Sequence, residues 1–136
     1  MMASSEAAPH IVICDVGPRD GLQSEDRIWS VAERVELIDR LSASGLRRME
    51  AVSFVHPKRV PQMAGAEEVM AAIKRPDSVQ FAGLALNLRG AERAIDAGVD
   101  VFGGKFAEDV LARTQDLLEF YGTKIDIRGG VGYLKL

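Results

Sequence analysis

The sequence predicts an α/β protein built from parallel (β/α) repeats, about four to five units of them. Three observations carry this reading. Short apolar runs alternate with amphipathic stretches at roughly 25–30 residues per unit. The first run, IVICDV at residues 11–16, is nearly continuous in apolar and β-branched residues, as a strand covered on both faces requires. No hairpin signature joins one run to the next, so helical crossovers and parallel strands are expected.

The elements follow in order. After residues 11–16, GPRDGLQSED reads as turn and loop. Ser30 is an N-cap, and Glu33 completes a capping box. Val31, Val35, Ile38 and Leu41 then recur at helical spacing, predicting a helix over 31–43 that Gly45 ends. MEAVSF, 49–54, is the second strand. Pro61 opens a helix over 61–73 with Met63, Ala66, Val69, Met70 and Ile73 on one stripe, stopped at Pro76 and Asp77. Residues 79–86 form a third strand, weakened at Gly83. A short helix over 89–97 turns Ala91, Ala94 and Ile95 inward and closes at Gly98. Residues 99–102 are a fourth strand, 107–121 a helix, and KIDI, 124–127, a fifth strand. One domain over 11–127 is expected, between a disordered stretch at 1–10 and an irregular tail at 128–136. Strand order is open at this stage: an open doubly wound sheet and part of an eight-stranded barrel both fit. In either, ligands sit at the carboxyl ends of the strands.

Composition narrows the function. The 136 residues carry a net charge of −3, so no general positive field invites nucleic acid. Local Arg and Lys residues still suffice for a small anionic ligand. Cys14 is the sole cysteine, which excludes an internal disulfide and a cysteine zinc cluster. It falls within the first strand and is expected in the core. No stretch approaches 18 apolar residues and the start lacks a secretory pattern, so no membrane partner and a cytoplasmic location are expected.

The informative stretch is DVGPRDGLQSE, 15–25. Gly17 and Gly21 bound the turn, and Pro18 fixes φ just before Arg19. Two opposite charges, Arg19 and Asp20, are thus presented where a parallel strand ends. An Asp there can hold a divalent cation, and an Arg can clamp a carboxylate or meet a developing enolate; a self-satisfied surface ion pair is the plain alternative. Glu50 is a carboxylate within an apolar strand, where an unpartnered charge costs several kcal/mol, roughly. Arg19 is its natural partner if the first two strands are neighbours; Arg47 or Arg48 is the local alternative. Strict alternation places Glu50, Val52 and Phe54 on one face and Met49, Ala51 and Ser53 on the other.

Two blocks, GPRDGLQ and SFVHPKRVPQM, stand at a separation that resembles the 3-hydroxy-3-methylglutaryl-CoA lyase family of metal-dependent lyase and aldolase-type barrels. The resemblance covers roughly residues 11–100. It implies a partial TIM barrel and the cleavage of a hydroxyacyl-CoA to acetyl-CoA and acetoacetate. It implies Asp20 as a ligand to Mg²⁺ or Mn²⁺, Arg19 as the enolate-stabilising catalytic group, and Glu50 as its catalytic support. Gln23 and Asn87, with Arg19, match substrate-binding positions. An acyl-CoA is the implied substrate, and Lys58 and Arg59 are candidates to attract its phosphates.

The chain departs from the family in specific ways. Its only histidines are His10 and His56, so the family's His-x-His pair is missing, and Cys14 is not at the family's catalytic cysteine. Ala85 and Leu86 replace the usual Thr-Pro before Asn87. A whole barrel takes about 250 residues, and two open sheet edges invite self-association or a complementing C-terminal half. Little or no turnover is therefore expected of the chain alone. A non-catalytic barrel segment and a related metal-dependent aldolase are the competing functions.

Overall fold

The computed structural model describes residues 11–104, 116, 126–128 and 131–135. Four parallel strands run in chain order along the sheet: β1 (Cys14–Asp15), β2 (Arg48–Ser53), β3 (Gln80–Leu84) and β4 (Val101–Gly104). Between them lie α1 (Val31–Ser42), α2 (Ala66–Ala72) and α3 (Leu88–Asp96). Each strand lies beside the next in sequence, with no reversal of order. A doubly wound sheet reverses its order; this arrangement is that of a partial (β/α) barrel of about four units.

Local chemistry sets the boundaries. The Ser30 side chain accepts from the Glu33 amide, and the Glu33 carboxylate accepts from the Ser30 amide, so the capping box that starts α1 is complete. Asn87 begins α3 by accepting from the Gly90 amide at 2.8 Å. Gly45 and Gly98 take left-handed φ values of 94° and 71° just past α1 and α3.

One core lies between sheet and helices. Ile38 of α1, Val69 and Met70 of α2, and Ala91 and Ala94 of α3 pack on Met49, Val52, Phe54, Phe81 and Phe102. Gly83 makes room in it: a Cβ there would stand 2.6 Å from the Phe54 ring and 3.5 Å from Val52 Cγ2. Phe54 and Val52 therefore share the helix-facing side of the sheet. Ala82 and Val101 are also buried but lie outside that cluster, on the opposite, inner face.

Five expectations are corrected. The first strand is a two-residue edge strand, not a long one covered on both faces; Ile11, Val12 and Ile13 are 85%, 57% and 70% exposed. Strand β1 ends the sheet and, among the described strands, pairs with β2 alone. Cys14 is exposed there for the same reason. The expected helix over 61–73 is a short 3₁₀ turn, Pro61–Met63, and then α2, because Gly65 adopts φ 77° between them. Strict alternation in β2 fails, because Glu50 pairs with Ala82 and Val52 with Gly83, leaving Ala51 as an extra residue. The chain's end also differs: β5 (Asp126–Arg128) and β6 (Val131–Lys135) form an antiparallel pair, and β6 adds antiparallel to β4. The stretch expected to be a fifth parallel strand and an irregular tail thus holds an antiparallel strand pair. The expected disorder at 1–10 lies outside the described residues, as does the helix at 107–121 apart from Asp116, which is helical.

Gly83→Ala is expected to lower the unfolding free energy by about 1–3 kcal/mol through overpacking against Phe54. A urea midpoint unchanged from wild type would show that the ring can move aside.

Candidate active site

The loop after β1 is a wide turn, not an open loop. Val16 O accepts from the amides of Arg19 (3.2 Å), Asp20 (2.7 Å) and Gly21 (3.3 Å), and residues Gly17–Gly21 form one π-helical turn. Such turns are rare and concentrate at functional sites. Neither bounding glycine has a positive φ. Gly17 instead permits close approach: its amide donates to Asp15 Oδ1 at 2.8 Å, and a Cβ would stand 3.0 Å from that oxygen.

The turn points Arg19 across to β2. Its Nε donates to Glu50 Oε1, and its Nη1 donates to Asp20 Oδ1 at 3.2 Å. The Arg19 and Glu50 side chains are 17% and 16% exposed, so this pair is largely desolvated, whereas Asp20 is 61% exposed. One guanidinium therefore joins a sheltered acid behind it to an open acid in front. The local alternative for Glu50 is not taken: Arg48 bonds Gln80 Oε1.

The β-bulge makes this possible. Met49, Ala51, Val52 and Phe54 all belong to the helix-side core. The bulge places Ala51 and Val52 together on that side, so Glu50 and Ser53, three positions apart, both fall on the inner face. Paired residues of parallel strands share a face. Glu50, Ala82 and Val101 thus form one inner row, and Ser53, Leu84 and Gly103 form the next row toward the strand carboxyl ends.

Three side chains fasten the loop between β2 and α2 that borders the site. Arg93 of α3 grips Glu67, with Nη2–Oε2 at 2.9 Å, and donates to Phe54 O and Val55 O at 3.1 and 3.3 Å. Arg34 of α1, fully buried, donates to Ala64 O at 2.6 Å. Gln62 reaches Glu25 O at 3.1 Å, tying this loop to the one after β1. The Arg93 hydrogen bond holds the Glu67 carboxyl below its usual range, while burial alone lowers the Arg34 guanidinium. Sequence reading missed Arg93 and Arg34, because their partners lie 26 to 39 residues away and leave no local signal.

The other expected residues are placed as follows. Gln23 follows the wide turn with its Oε1 buried and without a partner among the described residues. Asn87 caps α3 from an exposed position beyond β3. His56, Lys58 and Arg59 are exposed in the loop after β2, where His56 Nδ1 accepts from the Lys58 amide at 3.2 Å. Asp20 offers a hard oxygen to a cation. Among the described residues, however, no three His, Cys, Asp or Glu side chains gather, so these residues do not fit a complete cation centre.

A partial parallel barrel with a paired Arg and acid beside the end of its first strand is a (β/α)-barrel domain with its candidate site on the face such barrels use. The HMGL-like family model matches residues 10–127, and the chain belongs to that family. It is 52% identical over 87 residues to the 3-hydroxy-3-isohexenylglutaryl-CoA/hydroxymethylglutaryl-CoA lyase of Pseudomonas aeruginosa, covering 64% of this chain and 29% of that protein. It is 48% identical to the mitochondrial hydroxymethylglutaryl-CoA lyase of Arabidopsis thaliana, over 69% of this chain and 20% of that one. The HMG-CoA lyase structure from Brucella melitensis superposes with a TM-score of 0.74 at 35% identity, over 85% of this chain and 47% of that chain. That from Acinetobacter baumannii, in complex with coenzyme A and 3-methylmalate, gives 0.65 at 40% identity, over 74% and 32%. The chain thus spans less than half the length of each. The cytoplasmic expectation is corrected by these relatives, since several, the A. thaliana enzyme among them, are mitochondrial. No helix among the described residues is long and apolar enough to cross a membrane.

Glu50→Ala leaves the Arg19 guanidinium without its sheltered partner and is expected to cost about 1–3 kcal/mol of stability. A double-mutant cycle with Arg19→Ala in urea denaturation should show clear coupling, and additive losses would refute the pair's role. The Glu67 carboxyl titrates lower when folded, so its contribution is present above the unfolded carboxylate pKa and is lost as pH falls through the folded value. Glu67→Gln should therefore flatten the acid limb of a stability-against-pH curve.

Proposed function

We propose that this chain forms the acyl-CoA-facing front of a hydroxymethylglutaryl-CoA lyase-type site. The observation that carries the proposal is Arg19, held at the end of β1 by Glu50 and set beside the open Asp20. In the reaction, the tertiary hydroxyl of the hydroxyacyl-CoA gives its proton to a base. The carbon–carbon bond breaks as that carbon becomes the ketone of acetoacetate. The electron pair passes into the thioester as an enolate, which takes a proton to become acetyl-CoA. Arg19 meets the negative charge on the enolate oxygen, and Glu50 fixes the guanidinium in that direction. Gln23 and Asn87 border the bound substrate.

A Mg²⁺ or Mn²⁺ ion supplies Lewis-acid polarisation in such a site. Asp20 is the carboxylate this chain presents to it, and the described residues do not complete the coordination. One further reading has its own support, a non-catalytic barrel segment that keeps acyl-CoA affinity. It is favoured by the incomplete ligand set and by a sequence with no His-x-His. The exposed edge at β1, with Ile11, Val12 and Ile13, is where a second copy or a complementing C-terminal half would add.

The purified chain is expected to bind hydroxymethylglutaryl-CoA and release little acetoacetate. Arg19→Ala should weaken that binding about tenfold, as the loss of one charge-assisted contact does. Binding indifferent to Arg19→Ala would overturn the proposal. Acetoacetate release well above a metal-free control, and lost in Arg19→Ala, would instead show a working lyase.

A further inference from the structure

Ser53 has no part in the contacts described so far. It is fully buried, and its Oγ has no hydrogen-bond partner among the described residues. A buried hydroxyl left unpaired is unfavourable, and such groups are rare unless something external satisfies them. Ser53 also sits in a particular place. The extra residue Ala51 turns it onto the inner face, in the row next to Glu50 and nearer the carboxyl end of the sheet. Its row neighbours Leu84 and Gly103 bring no polar side chain. Among β2, β3 and β4 the Ser53 hydroxyl is the one polar side-chain group of that row, which continues to Tyr133 of β6, and it is an orphan one layer above the acid that orients Arg19.

We infer that Ser53 is a specificity-determining residue, whose hydroxyl hydrogen-bonds an oxygen of the substrate's acyl portion. This rests on the proposed lyase-type reading and adds the residue that tells an oxygenated acyl chain from a plain one. The chemistry fits a compact hydroxy acid. A serine hydroxyl both donates and accepts, so it serves a carboxylate or an alcohol equally. A pocket that offers such a partner rejects an analogue lacking the oxygen, because the protein group is then left buried and unpaired.

Ser53→Ala tests this with two readouts on the full chain. Binding of hydroxymethylglutaryl-CoA, of butyryl-CoA and of coenzyme A would be measured by titration calorimetry, beside urea unfolding without ligand. The expected result is a five- to twentyfold loss of affinity for hydroxymethylglutaryl-CoA in Ser53→Ala. Affinity for butyryl-CoA and coenzyme A should stay at the wild-type value, with an unfolding midpoint equal to or above wild type. Equal losses for all three ligands, or a lowered midpoint with unchanged binding, would overturn the inference and leave the lyase-type reading standing. Wild-type chain that binds none of the three would overturn both, and Arg19→Ala would then be without effect as well.

Discussion

Arg19, mostly out of water, shares its charge with a neighbouring acid, and this pairing organises the described site. Arg19 leaves the end of β1, where the sheet has only its edge, and finds that acid in Glu50 of the neighbouring strand. The pair therefore does more than satisfy two ions. It fixes the turn after β1 against β2, which the two-residue ladder of β1 could hold only weakly. Its partial burial makes the Coulomb attraction larger than at an open surface. The second acid, Asp20, is left in solvent with one shared hydrogen bond, and so stays available to other partners.

The same pairing explains the irregular β2. A helix-facing strand of strict period two cannot give two polar residues to the inner face three positions apart. One additional residue solves this, and the bulge is where Ala51 enters. The strand thereby keeps Met49, Val52 and Phe54 in the core while Glu50 and Ser53 both turn away from it. Rigidity around this point comes from outside the strand. Arg93 holds the backbone just past β2, and Arg34 holds the far end of the following loop.

Features with short-range causes were legible in the sequence. The Ser30–Glu33 capping box and the glycines ending α1 and α3 depend on residues within a turn of one another, and they stand where the pattern placed them. The Arg19–Glu50 pair was also legible, because neighbouring parallel strands bring their ends together. What depended on a distant partner was not. The bulge exists only in the register of β2 against β3, and the stripe from Met63 to Ile73 reads the same whether or not Gly65 breaks it. The exposure of residues 11–13 follows from their place at the sheet edge, which composition does not reveal. The antiparallel pairing of β5 with β6 falls outside the parallel repeat that the spacing predicts.

The cap on α3 bears on what Asn87 can hold. Its carbonyl oxygen is engaged with the Gly90 amide. That oxygen is the half of the amide a metal ion would seek, while the NH₂ half, which only donates, has no protein acceptor among the described residues. So long as α3 keeps its first turn, the free NH₂ of Asn87 is suited to anions such as carboxylates or phosphates, and a cation would share its oxygen with the Gly90 amide.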